Sequence, residues 1–199
     1  MKRERKQKSK EYRKRFLIVH EGLATEREYI NHVKGVYGIA RKCHIETHSP
    51  KHSSISAMVQ KIKQVGEGAE ADDELWVVLD RDAQTHKTEQ FVELAAWEQE
   101  RELNAVALST PRFEYWLLLH VMENPHAEKA KKDNYVAEYL PGFSKDLSAC
   151  KGLFTKEAVQ QAILRAERRG VPTCRMPDIV GSGMGRLVRA VLTKAAVMP

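Results

Sequence analysis

The chain has 199 residues, 42% hydrophobic and 30% charged, enough apolar material for one core-bearing domain and too much for a wholly disordered chain. Eleven Gly and seven Pro exclude collagen-like and low-complexity classes, and three scattered cysteines (Cys43, Cys150, Cys174) support neither a disulfide framework nor a zinc knuckle. The formal charge of +6 is concentrated at one end: residues 1–16 hold nine Lys/Arg against two Glu, net +7, and the remainder sums to −1.

Residues 1–14 are therefore expected to form a basic tail, either solvated or able to grip phosphate backbones. Arg15–His20 is a β-branched apolar run with the look of a strand buried on both faces. After Glu21-Gly22 the spacing of Tyr29, Ile30, Val33, Val36 and Tyr37 predicts a helix, with Thr25 as N-cap and Glu28 as its capping-box partner. A weak strand over Cys43–Thr47 and a helix over Ser53–Val65 follow. The next strand is clear, Glu74–Leu79, ending in Asp80-Arg81-Asp82. A helix over Thr88–Arg101, a strand over Asn104–Leu108 and a helix over Phe113–Val121 come next, the last with Pro111 near its start. This alternation predicts an α/β fold: a parallel sheet with helices on both faces, over residues 15–125. Beyond it, helices over Lys156–Arg169 and Gly185–Val197 predict a C-terminal helical extension, residues 126–199, packed on the sheet. No apolar run approaches the roughly 20 residues that span a bilayer, and no secretory signal follows the basic start. The expected location is cytoplasmic, with no membrane partner.

In open α/β sheets function collects beyond the carboxyl ends of the strands. Glu21 follows the first strand, with Glu26 in the next helix's first turn. Asp80 and Asp82 follow the third strand, and Glu114 opens the helix after the fourth. In extended chain Asp-x-Asp sends both carboxylates to one side and the intervening Arg81 to the other. Neighbouring carboxylates repel unless a cation lies between them, which points to a hard ion such as Mg²⁺. The bland account makes Asp80 and Asp82 turn and cap residues.

Three stretches occur in order: FLIVHEGLATEREYI (16–30), ELWVVLDRD (74–82) and STPRFEYWLLLH (109–120). A strand ending in Glu-Gly and a later strand ending in Asp-x-Asp resembles the Toprim domain of topoisomerases, primases and OLD-type nucleases. Together the three stretches resemble the RloB family of bacterial defence-associated proteins, with its EGxxTE, DRD and FE-x-WLLLH motifs. The likeness covers most of residues 15–121; later, only Gly181-Ser-Gly-Met-Gly185 followed by Arg186-Leu-Val is similar.

The resemblance implies a Toprim-like sheet in which Glu21 is the Toprim glutamate and Asp80 and Asp82 the metal-binding pair. Glu26 matches the second glutamate of EGxxTE and is implied as a further metal ligand, and Glu114 matches an acid of the third motif; both join Glu21, Asp80 and Asp82 as the implied catalytic residues. Glu114 is equally readable as a negative charge favoured at a helix N-terminus. The implied activity is hydrolysis of phosphodiester bonds in DNA or RNA, with Mg²⁺ or Mn²⁺, in an anti-phage (abortive-infection) system alongside an AAA-type or ABC-type ATPase. A homo-oligomer is compatible with this reading. The alternatives are a non-catalytic Toprim-like module that binds nucleic acid or a phage trigger, and a phosphatase for small phosphate esters.

Other signals carry less. A haloacid-dehalogenase nucleophile wants Thr or Val where Gln84 stands and belongs after the first strand. The glycine-rich 181–185 stretch matches neither GxGxxG nor a P-loop and reads as a flexible lead into a helix. His44, His48 and His52 recur every four residues, but Pro50 breaks any helix there. His120 reads as a packed histidine, and Arg81 and Arg112 lie where they could meet substrate phosphates.

Overall fold

The computed structural model describes residues 14–22, 24–81, 88–144 and 147–196. In chain order the elements are β1 (Arg15–His20), α1 (Thr25–Tyr37), β2 (His44–His48), α2 (Ile55–Gly66), β3 (Glu74–Asp80), α3 (Thr88–Gln99), β4 (Asn104–Thr110) and α4 (Phe113–Leu118). They continue with α5 (Ala127–Ala130), α6 (Asp133–Tyr139), α7 (Lys156–Arg168), β5 (Gly181–Ser182) and α8 (Met184–Lys194). The basic tail lies outside the described residues except at its end.

The five strands among the described residues make one sheet in the order β2-β1-β3-β4-β5, parallel except for β5. The α/β class and two-sided parallel sheet expected from the alternation are therefore present. Strand periodicity divides the core in two. Phe16, Ile18, Trp76, Val78 and Ala107 face one side, where α1, α4, α7 and α8 cover them. Leu17, Val19, Leu75, Val77, Leu79, Val106 and Leu108 face the other, against Ile55, Met58 and Ile62 of α2 and Phe91, Leu94 and Trp97 of α3. Covering on both faces is why β1 and β3 read as unbroken apolar runs.

Three local expectations need correction. Helix α1 begins at Thr25 itself, with Ala24 as N-cap and no side-chain capping bond, so no capping box forms. The carboxylate that reaches back at this end belongs to Glu26, which accepts the Gly22 N–H. Helix α4 ends at Leu118 and its N-cap is Arg112, so Pro111 precedes the helix rather than opening it. The glycine-rich stretch is no flexible lead: Gly181–Ser182 is strand β5, antiparallel to the end of β4. A Cβ on Gly183 would lie 2.9 Å from Ala107 Cα and Leu108 N, so only glycine lets this backbone sit against the sheet. No helix among the described residues is long and apolar enough to cross a membrane.

Candidate functional site

Parallel pairing of β1 with β3 brings their carboxyl ends side by side. The ladder runs one bond past β1, Glu21 N–H donating to Val78 O at 3.0 Å. The Glu21 side chain then bridges to the neighbouring strand, its Oε2 accepting the Asp80 N–H at 3.1 Å. Across β3 on its other side, Asp80 is in register with Ser109, whose Oγ lies 2.8 Å from Ser182 Oγ. Below Glu21 the chain turns at Gly22, where a Cβ would stand 2.1 Å from Glu26 Oε2. That bare turn lets the buried Glu26 carboxylate fold back onto the Gly22 N–H at 3.1 Å.

Four carboxylates from four segments thereby meet at one end of the sheet. Asp80 lies on the α1–α4 side, in line with Trp76 and Val78, and accepts the Phe113 N–H at the start of α4. Removal from water holds its carboxyl well above the usual carboxylate range, and the charges of Glu26, Glu114 and Glu21 push it further. The Glu26 carboxyl is also raised, first by burial and then by Glu114 and Glu21 against the bonds from its own backbone and Gly22. Glu114 is ion-paired with Arg112 at 2.8 Å, and Arg112 also pairs with Asp133. So Glu21, Glu26, Asp80 and Glu114 are neighbours in charge, while Asp82 lies outside the described residues.

The donor set is all carboxylate oxygen and electrostatically unfavourable without a counter-ion, the chemistry that fits a hard divalent cation. Among the described residues, no group of three His, Cys, Asp or Glu side chains already stands in a metal-holding arrangement.

Arg81 follows the parity read from the sequence: it turns to the α3 side, 3.0 Å from Asp178 and 5.2 Å from the Phe91 ring. His120 is buried and neutral. Desolvation lowers its pKa to about 3, Nδ1 lies 3.1 Å from the Trp116 and Leu117 carbonyls, and Nε2 is 3.0 Å from the Tyr29 hydroxyl. His44 and His48 flank Glu46 on β2, at 3.0 and 3.6 Å.

Two features of the site go beyond the residues that the sequence points to. His20, 1% exposed, bonds the Gly22 carbonyl through Nδ1 at 2.6 Å and lies 3.4 Å from Ser49 Oγ, fixing the turn that carries Glu21. Its signal in the sequence is a polar residue ending an apolar strand. The Ser109–Ser182 hydroxyl pair beside Asp80 is signalled by alternate glycines at 181, 183 and 185, a pattern for close backbone approach.

A protein-family model described as RloB-like protein matches residues 16–191. No curated protein and no solved structure gives a significant match.

Proposed function

The chain belongs to the RloB-like family, and from that membership we propose that it is a Toprim-like, Mg²⁺- or Mn²⁺-dependent nuclease that hydrolyses phosphodiester bonds in DNA or RNA. The observation that carries the reading is that Asp80 and Glu26, withdrawn from water at the strand ends, have their carboxyls raised by burial first and then by the charges of Glu21 and Glu114 beside them. Such an arrangement costs stability, and a cation offsets that cost.

Asp80, Glu21 and Asp82 would hold the ion, with Glu26 as a further oxygen donor. The bound ion would polarise a phosphoryl oxygen and lower the pKa of a water. Glu26, buried and with its carboxyl raised above the usual carboxylate range, holds a proton more readily than a free glutamate and is suited to pass one on. Glu114 steadies Arg112, whose guanidinium is further held by Asp133 and brings positive charge to the rim of the acidic group. The Glu21 bridge to the Asp80 N–H locks the two strand ends so that both carboxylates keep their relative positions. The resemblance to defence-associated proteins extends the proposal to an effector of anti-phage abortive infection, working with an AAA-type or ABC-type ATPase.

A second reading, a non-catalytic module that binds nucleic acid or a phage trigger, is favoured by one observation: the described carboxylates are not already set for a metal. Expression of wild type, Asp80→Ala and Glu21→Ala with the neighbouring ATPase and a triggering phage separates the two. Loss of DNA or of a specific RNA in wild type, abolished in both variants at equal levels of folded protein, is the expected result. Protection or toxicity that survives both substitutions removes the nuclease reading and leaves the binding module.

A further inference from the structure

On the far side of β1 from β3 the sheet ends at β2, and a groove of about 620 Å³ opens between the loop that follows β2 and the outer face of α2. Ser49, Lys51 and His52 of the loop line it, with Lys61 and Lys63 of the helix and Glu67 at the helix's C-cap. On α2 the positions 57, 60, 61, 64 and 67 recur at three and four, a single stripe roughly 15 Å long at about 1.5 Å per residue. The stripe carries lysine ammonium and glutamine amide groups where the opposite stripe of the same helix buries Ile55, Met58, Val59 and Ile62. Three lysines and a histidine line the groove with one glutamate, Glu67. Lys63 is partly engaged by Glu100 at 2.6 Å, whereas Lys51 and Lys61 line the groove with no carboxylate paired to them among the described residues.

One end of this groove is linked through Ser49 to the turn that carries Glu21. Ser49, on its wall, lies 3.4 Å from His20 Nδ1, the same nitrogen that holds the Gly22 carbonyl at 2.6 Å. His20 is the residue before Glu21. Because β1 and β2 run parallel, the loop leaving β2 and the turn leaving β1 emerge at the same edge. The groove, on the α2 side of the sheet, and the carboxylate cluster, on the α1–α4 side, thus both reach the carboxyl-terminal edge of the strands.

We infer that this groove binds the phosphate backbone of a nucleic-acid strand and leads it to the Glu21–Asp80 end of the sheet, with Lys51 and Lys61 as the principal phosphate contacts. The assignment rests on the nuclease reading for its purpose but on the groove for its chemistry. Lysine point charges meet phosphates without reading bases, and glutamine amides add neutral donors, so the contact is to the backbone and is indifferent to sequence. Placing the cation-rich track at the strand edge that the carboxylate cluster also reaches solves a problem of charge: four acids alone repel the polyanion they are meant to cut.

Binding is measured by fluorescence anisotropy of the full chain with a labelled DNA or RNA strand of mixed sequence, about 16 nucleotides long and so the size of the largest single-fold footprints, in EDTA so that no cleavage intervenes. The Lys51→Gln/Lys61→Gln pair is compared with Arg41→Gln/Lys42→Gln, an equal charge change at the opposite end of β2. The expected outcome is at least a fivefold loss of affinity for the groove pair and less than twofold for the control. The log–log salt slope should flatten by about 1.4, at roughly 0.7 per single-strand phosphate contact. Equal affinity of the two pairs, as when the basic N-terminal residues do all the binding, overturns the proposal, and so does a wild type that binds neither strand. Preference for DNA or RNA tells which strand uses the track. The groove pair is also carried through the expression assay with the neighbouring ATPase and a triggering phage, where cleavage keeps the two readings apart. Groove-dependent binding without cleavage removes the nuclease and keeps the track, whereas cleavage undiminished in the groove pair removes the track and keeps the nuclease.

Discussion

Asp80 shows how one residue ties the fold to its use. Its backbone closes β3, donating to Glu21 and holding register with Ser109, while its side chain stands among three other carboxylates. A group so placed lowers stability in the absence of a counter-ion, a cost found at functional sites rather than structural ones. Asp80→Asn keeps an oxygen for the Phe113 N–H and removes the charge. In EDTA the variant is expected to be more stable than wild type by about 0.5–2 kcal/mol, read from urea unfolding. Mg²⁺ should then raise the wild-type midpoint and leave the variant's unmoved. An Asp80→Asn variant less stable than wild type in EDTA would mean that the carboxylate is a structural cap after all. Much of this residue is legible in the sequence, because period-two geometry alone sends Asp80 and Arg81 to opposite faces, and Arg81 indeed lies over Phe91 in the other core. Glu26's route to the site is less legible: it depends on the empty space at Gly22, which no helical pattern encodes.

At the scale of elements, the contact between α1 and the turn after α4 is the most demanding, because it buries a hydroxyl and an imidazole among aromatic rings. Tyr29 meets Phe113, Trp116, His120 and Phe154 edge-on, with centroids 5.4–5.9 Å apart. The imidazole is neutral there, with a pKa lowered by burial from 6.5 to about 3. Below pH 6.5 the unfolded chain takes up a proton at His120 that the folded chain does not. Stability from this residue is therefore complete above pH 6.5 and falls as pH drops toward 3, by up to about 1.4 kcal/mol per pH unit. The difference in unfolding free energy between wild type and His120→Gln, followed from about pH 7.5 to about pH 4.5 so as to bracket the free imidazole's titration, should shrink with that slope, since His20 and the carboxylates are common to both. A difference that stays flat with pH would mean that the ring titrates normally in the folded protein. Long elements with strong periodicity, such as α1, α2 and β3, can be placed from sequence within a residue or two. Strand β5 cannot, for a two-residue strand has no period, and its partner β4 lies about seventy residues earlier. The N-cap at Ala24 escapes a sequence reading for a related reason: Thr-x-x-Glu is a local rule, whereas here the packing of α1 on β1 and the pull of Gly22 on Glu26 set where the helix begins.

The whole molecule is asymmetric about its sheet. One face is closed mainly by α2 and α3, both drawn from the first hundred residues, with Cys174 added from the later chain. The other draws its cover from both ends of the chain: Tyr29, Ile30 and Val33 of α1 pack with Ile163 of α7 and Leu187, Val188 and Val191 of α8. Residues after 125 also supply β5, which covers the open edge of β4 next to Asp80. The segment carrying the three sequence motifs shares that core with the later helices, and half of it would be water-exposed without them. A chain ending at residue 125 loses Phe154, Val159, Ile163, Met184, Leu187 and Leu192, each fully or almost fully buried, and each truncated apolar contact of this kind is worth about 2–5 kcal/mol. That sum, about 12–30 kcal/mol, is comparable to or larger than the roughly 5–15 kcal/mol by which whole domains are stable. The truncated chain is expected to show no cooperative urea transition and no protected amides in β1 or β3. If residues 1–125 instead unfold cooperatively with a slope near that of the full chain, the acidic site belongs to a self-sufficient module and the later helices serve something other than its fold. The position of β5 favours the first outcome, since the strand that the C-terminal helices bring back lies against the last pair of β4 residues, one strand away from the carboxylate the site depends on.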